Sequence, residues 1–245
     1  MKMTHSQADR LDFKRPESVL DLVNIRSALV RMEDTILYDL IERAQFTQMP
    51  SAYKAGVFPN LEGTFLDWIL KETESTHAKL RRYDAADENA FFPVPKDRIL
   101  PALKLQDVLA PYQKEVNVND RIKQYYIEHI VPALSANPCD EEQNFGSCAL
   151  SDVWALQAIS RRIHFGKFVA ESKFQSEREL FTKLINEKDI KGIEVAITKP
   201  EVEQRILERI RHKADSYGAD PQTILRWSEK GDGKVDPEVI VSIYR

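Results

Sequence analysis

The chain has 245 residues, enough to bury a substantial core, with 42% hydrophobic and 30% charged residues and a formal net charge of −4. That balance offers no global attraction for nucleic acid or an anionic membrane surface, and no apolar run is long enough to span a bilayer. Met1 to Arg10 is polar and there is no N-x-S/T acceptor, so the expected compartment is the cytoplasm.

Pro16-Glu17-Ser18 predicts the start of a long amphipathic helix, with proline in the first turn and Glu17 near its positive end. Its apolar stripe runs Leu22, Ile25, Leu29, Met32, Ile36, Leu40, and Pro50 stops it. Ser51 to Gly63 reads as a loop. Phe65, Trp68, Ile69 and Leu80 mark a second helix that ends near Arg81-Arg82-Tyr83. Asp84 to Pro101 is acidic and then proline-rich, an irregular excursion.

A third helix is predicted over Asn119–Leu134, tightened or ended by Pro132. Asn137 to Gly146 is a polar loop, and Ser147 or a neighbour caps a long helix reaching about Phe174. Shorter helices follow over Glu177–Asn186, Asp189–Ile197 and Glu201–Tyr217, the last closed by Gly218-Ala219-Asp220-Pro221. Gly231-Asp232-Gly233 is a turn, too short with Lys234 to cradle a phosphate. Pro237 opens a further helical pattern with Val239, Ile240, Ile243 and Tyr244 apolar. With eight glycines grouped between periodic segments and no strong strand signal, the expected fold is all-α. It is read as one multi-helix bundle over 1–245, with a polar tail over about 1–12.

Standard catalytic signatures are absent: no His-Glu-x-x-His, Cys-x-x-Cys, Gly-x-Ser-x-Gly, Walker loop or dinucleotide glycine pattern. The five histidines are scattered, so no metal site is expected. Cys139 and Cys148 flank the 144–146 loop; a disulfide is open, but a reducing cytosol favours two free thiols.

Cations on apolar helix faces say more. Arg26 has Leu22, Val23, Leu29 and Val30 as its helical neighbours, and Arg162 has Ala158, Ile159, Phe165 and Gly166. Lys173 follows Arg162 by eleven residues, about three turns or 16 Å along one face, with Gly166 leaving room between. Two readings stand: buried salt bridges or snorkelled heads, or an anion pocket inside a helical bundle. Wherever the cation is buried, a partner carboxylate from protein or ligand is required, because unpaired buried cations are costly.

Val23-Asn24-Ile25-Arg26 with Leu29-Val30-Arg31-Met32-Glu33-Asp34 resembles the N-terminal helix of fungal and plant chorismate mutases. Gly63-Thr64-Phe65-Leu66-Asp67-Trp68 and Asn144-Phe145-Gly146-Ser147 are similar to further segments. The strongest likeness is Ser160-Arg161-Arg162-Ile163-His164-Phe165-Gly166-Lys167-Phe168-Val169-Ala170-Glu171, continuing to Lys173-Phe174-Gln175. It spans about Phe13 to Tyr244.

The resemblance implies a cofactor-free isomerase that converts chorismate to prephenate on the way to phenylalanine and tyrosine. It assigns Arg26 and Arg162 to the substrate carboxylates, Lys173 to the ether oxygen and Glu203 to the ring hydroxyl. Lys199 stands where the family has an active-site asparagine. The resemblance also implies a homodimer inhibited by tyrosine and activated by tryptophan. The effector site would use Arg81 and Arg82 of one subunit with Asn144, Gly146 and Ser147 of the other. Leu150 replaces a threonine of that site. The family's C-terminal helix, with a threonine and a glutamate at the active site, is expected to lie beyond this chain. The alternative expectation is a non-catalytic helical protein that binds aromatic amino acids on the same scaffold.

Overall fold

The structure is a computed structural model that describes residues 15–102, 105–135, 138–140, 143–217 and 235–244. Helices dominate, and no strand occurs among the described residues. The predicted ends of the Glu201–Tyr217 helix at Gly218–Pro221 and the 231–233 turn lie outside them.

The first helical segment divides differently from the prediction. Pro16–Val19 (α1) is a single turn, and the long helix α2 is Leu22–Arg43. Asp21 starts it, its Oδ1 accepting from the amides of Val23 (2.9 Å) and Asn24 (3.1 Å), which an unaided proline turn cannot do. Helix α2 also ends before Pro50, which instead opens a 3-10 turn, Pro50–Tyr53. Helix α3, Phe65–Lys79, is capped by Thr64, whose hydroxyl accepts from the Asp67 amide at 3.0 Å.

The third segment keeps its predicted length but changes its winding. Asn119–Tyr125 (α4) passes into a π turn, Tyr126–Ile130, and resumes as Val131–Leu134 (α5). Pro132 has no N–H, and its ring crowds the carbonyl one turn back; widening the turn absorbs both faults without ending the helix.

The predicted long helix is two: α6, Phe145–His164, and α7, Gly166–Ser176. Asn144, not Ser147, holds the cap position, and its side chain makes no capping bond. Phe165 breaks the run because it and Phe168 turn inward together, ring centroids 4.9 Å apart and both fully buried. Then come α8 (Arg178–Asn186), α9 (Ile190–Ile197), α10 (Pro200–Ser216) and α11 (Pro237–Ser242).

Helices α2 and α6 form the spine. Ile36, Leu37 and Leu40 of α2 meet Val153, Leu156 and Ile159 of α6, with α3, α10 and α11 adding Leu66, Leu70, Ile210 and Ile240. A second cluster joins Ile25, Ala28 and Met32 to Leu109, Phe165 and Phe168. There the Ser172 hydroxyl of α7 donates to the Leu20 carbonyl at 2.8 Å, tying α7 to the turn that enters α2.

One polar knot sits inside the apolar spine. Arg43 is fully buried, and its five N–H groups reach Asp152, Tyr53 and the carbonyls of Phe46, Thr47 and Gln48. Asp152 accepts from Arg43 at 2.6 Å and from the hydroxyls of Tyr53 and Tyr126, each at 2.8 Å. Burial opposes the Arg43 charge, but Asp152 outweighs it and raises the guanidinium above its ordinary value. Burial pushes Asp152 up, yet a guanidinium does not give up its proton, so the pair stays ionic. Cys139 and Cys148 are not joined in a disulfide.

Candidate functional site

Arg162 leaves the last turn of α6 toward α2, α10 and α11. Its guanidinium carbon lies 5.3 Å from the centre of the Tyr244 ring, a cation–π contact. Its Nε is buried without a hydrogen-bond partner, and so is the Tyr244 hydroxyl. Burial pushes the guanidinium down; Tyr244 and Glu33 push it back up, and Arg209 opposes them.

Glu33 is buried on α2 and engaged elsewhere. It accepts from Arg209 Nε at 3.0 Å and Nη2 at 2.6 Å, a bidentate fork, and from Lys213 Nζ at 3.3 Å. Lys213 also pairs with Asp34 at 2.7 Å, and the Tyr217 hydroxyl donates to Asp34 at 3.2 Å. The hydrogen bond to Glu33 raises Arg209 above its ordinary value. Arg162 thus stands beside a carboxylate already occupied by two other cations, with a donor left over.

Lys173 lies on α7, and its ammonium donates to the Ile197 carbonyl at the end of α9. Burial lowers its pKa, the neighbouring charge of Lys199 lowers it further, and Glu177 partly compensates. Lys199 is exposed at the start of α10, and Glu203 is exposed in that helix's first turn. The break at Phe165 means that Arg162 and Lys173 do not ride one straight helix as the spacing suggested. Arg26 also departs from its expected setting: it is exposed on α2, together with Leu22 and Val23, rather than sunk in an apolar face. At the start of α2 only Ile25 and Ala28 turn inward, so the apolar neighbours of Arg26 in sequence do not enclose it.

At the other end of α6, Asn144, Gly146 and Ser147 are exposed. Arg81 takes a left-handed conformation (φ 71°) after α3, donates to the Pro101 carbonyl at 3.0 Å and leaves its Nε buried and unpartnered. Arg82 donates to Gln157 at 2.6 Å and Glu88 at 3.2 Å, and meets His77 Nδ1 at 3.0 Å. Burial and the Arg82 charge both lower His77, which keeps that nitrogen an acceptor. The pair is built into the fold rather than loose on the surface.

Three participants escaped sequence reasoning. Glu33 carried a usable signal, a carboxylate beside Met32 on the buried stripe, two turns after Arg26. Arg209 and Tyr244 carried none, because only tertiary packing brings α10 and α11 against α2. Among the described residues no group of three or more His, Cys, Asp and Glu side chains could hold a metal, and no helix is long and apolar enough to cross a membrane.

Comparison with known proteins matches this geometry to one family. The chorismate mutase type II family profile matches residues 152–245, the stretch from Asp152 through Arg162, Lys173 and Glu203. The chorismate mutase of Pichia angusta is 51% identical over 238 residues, covering 96% of this chain and 84% of the relative. That of Saccharomyces cerevisiae is 49% identical over 243 residues, covering 96% and 92%. Among solved structures, the Candida albicans Aro7p chorismate mutase in complex with L-Trp superimposes with a TM-score of 0.88 at 51% identity, covering 96% of this chain and 88% of that one. AtCM1 with tyrosine bound in its allosteric site gives a TM-score of 0.79 at 33% identity, covering 90% and 87%. With a helical fold shared over nearly the whole chain and half of its residues identical to fungal relatives, this chain belongs to the chorismate mutase family, an isomerase family of all-α architecture.

Proposed function

We propose that this chain performs the family's rearrangement of chorismate to prephenate at the helical junction around Arg162, with Arg26, Arg162, Lys173, Glu203 and Lys199 as its working residues. The observation that carries the reading is the unpaired, buried Nε of Arg162 beside an unpaired tyrosine hydroxyl. Two buried donors with no acceptor are costly, and a substrate carboxylate satisfies them.

The reaction is unimolecular: one C–O bond breaks as a C–C bond forms, with no group transferred and no cofactor needed. The protein's task is to hold the flexible ether compactly and to meet the charge that develops as the bond breaks. Arg162 and Arg26 bind the two carboxylates, planar forks suited to planar acids. Lys173, as an ammonium, donates to the ether oxygen as it gains negative charge, and Glu203 accepts from the ring hydroxyl. Lys199 adds a second cation toward the same dianion. Arg26 and Glu203 both stand exposed toward the starts of their helices, α2 and α10.

We also assign tyrosine and tryptophan as effectors, bound by Arg81 and Arg82 with Asn144, Gly146 and Ser147 of the partner subunit in a cytoplasmic homodimer. The exposed stripe on α6 supports this assignment. Leu150 and Trp154, 37% and 48% exposed, follow Ser147 on one face, an apolar surface suited to a second copy. The described helices share a continuous spine, which supports a single domain.

The test is direct. Purified protein, supplied with chorismate and nothing else, consumes it and yields prephenate, and Arg162→Ala loses about 10²–10³-fold in kcat/KM with its melting temperature kept. Unchanged turnover in that variant refutes the role of Arg162. Binding of aromatic amino acids with no turnover by the parent protein makes it a regulatory relative instead.

A further inference from the structure

A cavity of about 570 Å³ lies between α7, α8, α9 and the strap of residues 107–116 that crosses them. Its wall is largely hydrocarbon: Leu109 from the strap, Phe174 from α7, Phe181 from α8 and Ile193 from α9. The volume is in the range of small-molecule pockets.

Two opposite charges share this wall. Lys167 and Glu171 stand one turn apart on α7, on the face that meets the cavity, yet among the described residues neither has an ion-pair partner. Lys167 reaches only neutral amide oxygens, Asn89 Oδ1 at 3.3 Å and Gln113 Oε1 at 3.4 Å. Glu171 accepts only from the Gln175 amide at 2.9 Å. Asp107, from the strap, adds a second carboxylate to the lining. Burial pushes the Lys167 amine down, as expected for a cation without a counter-ion.

We propose that this cavity binds an apolar zwitterion of amino-acid size, its carboxylate on Lys167, its ammonium on Glu171 and Asp107, and its hydrocarbon among Leu109, Phe174, Phe181 and Ile193. The complementarity is specific: a plain acid meets the two carboxylates with no cation to offer them, and a plain amine leaves Lys167 unanswered. The charged pair lies on a different face of α7 from Lys173, and the two regions meet at Ile197, whose carbonyl Lys173 holds. Lys167 and Lys173 are six residues apart on α7, so their side chains diverge by about 120° around the axis.

The experiment is calorimetric titration of the full chain with 2-aminooctanoate, octanoate and heptylamine, which share a tail and differ in their charges. The expected result is saturable binding of 2-aminooctanoate, about tenfold or more tighter than either analogue. Lys167→Met weakens it by about tenfold or more with chorismate turnover unchanged, and Ala170→Phe, which adds bulk to the lining, abolishes it. Octanoate or heptylamine binding as tightly as the zwitterion overturns the proposal, as does the absence of any binding. Binding that survives Ala170→Phe but is lost in Arg81→Ala belongs to the effector residues and also overturns it.

Discussion

In its proposed role Lys173 serves the rearrangement only as a cation, because a neutral amine is a far poorer donor to an oxygen gaining charge. Its pKa is held down first by burial and second by Lys199. The sign follows: removing the Lys199 charge raises the pKa of Lys173 and extends its protonated form to higher pH. Lys199→Asn is therefore expected to move the alkaline limb of the kcat pH profile upward; a limb that stays in place separates the two lysines. At this scale the sequence was informative for Arg162 and misleading for Arg26. Both have apolar helical neighbours, but burial depends on what packs against the helix, and only Arg162 meets Tyr244 and Glu33. Periodicity names a face without saying what will cover it.

Among the elements, Arg43 decides how α2 stops. The side chain gathers the carbonyls of Phe46, Thr47 and Gln48 and binds Asp152 of α6, so one residue closes one helix and docks it on another. Arg43→Met strands a buried carboxylate and is expected to cost about 3–5 kcal/mol in denaturant unfolding, with part regained in the double variant with Asp152→Asn. Equal losses in the single and double variants mean that the pair contributes only volume. Helix existence was legible along the whole chain, because stripes such as Ile25, Met32, Ile36 and Leu40 are read directly from spacing. Boundaries were not. The Asp21 cap competes with Pro16, the inward turn of Phe165 and Phe168 is a tertiary choice, and Pro132 is accommodated by a π turn rather than a stop.

Across the whole molecule, the residues proposed for effector binding and for the reaction occupy opposite ends of α6, with Asn144, Gly146 and Ser147 at its start and Arg162 in its last turn. A 20-residue helix spans about 30 Å, so regulation must travel along a spine packed on α2 rather than by contact. In the proposed effector site, Leu150 stands where the resemblance implies a threonine. Leu150→Thr restores one hydrogen bond and is expected to lower the half-inhibiting tyrosine concentration by about fivefold, measured by initial rates. No change places the effector elsewhere. The expected dimer gives a second check, because a sedimenting monomer would leave the Arg81–Arg82 side of that site without Asn144, Gly146 and Ser147.

The bond from Ser172 to the Leu20 carbonyl has a consequence in time as well as in space. It latches α7, which carries Lys173, to the turn from which α2 and Arg26 emerge. Segments joined in this way open together, so the amides of the first turns of α2 and those of α7 should exchange hydrogen for deuterium at one shared rate. Substrate, bridging the same two segments, should slow both by the same factor, and Ser172→Ala should split them into two independent rates.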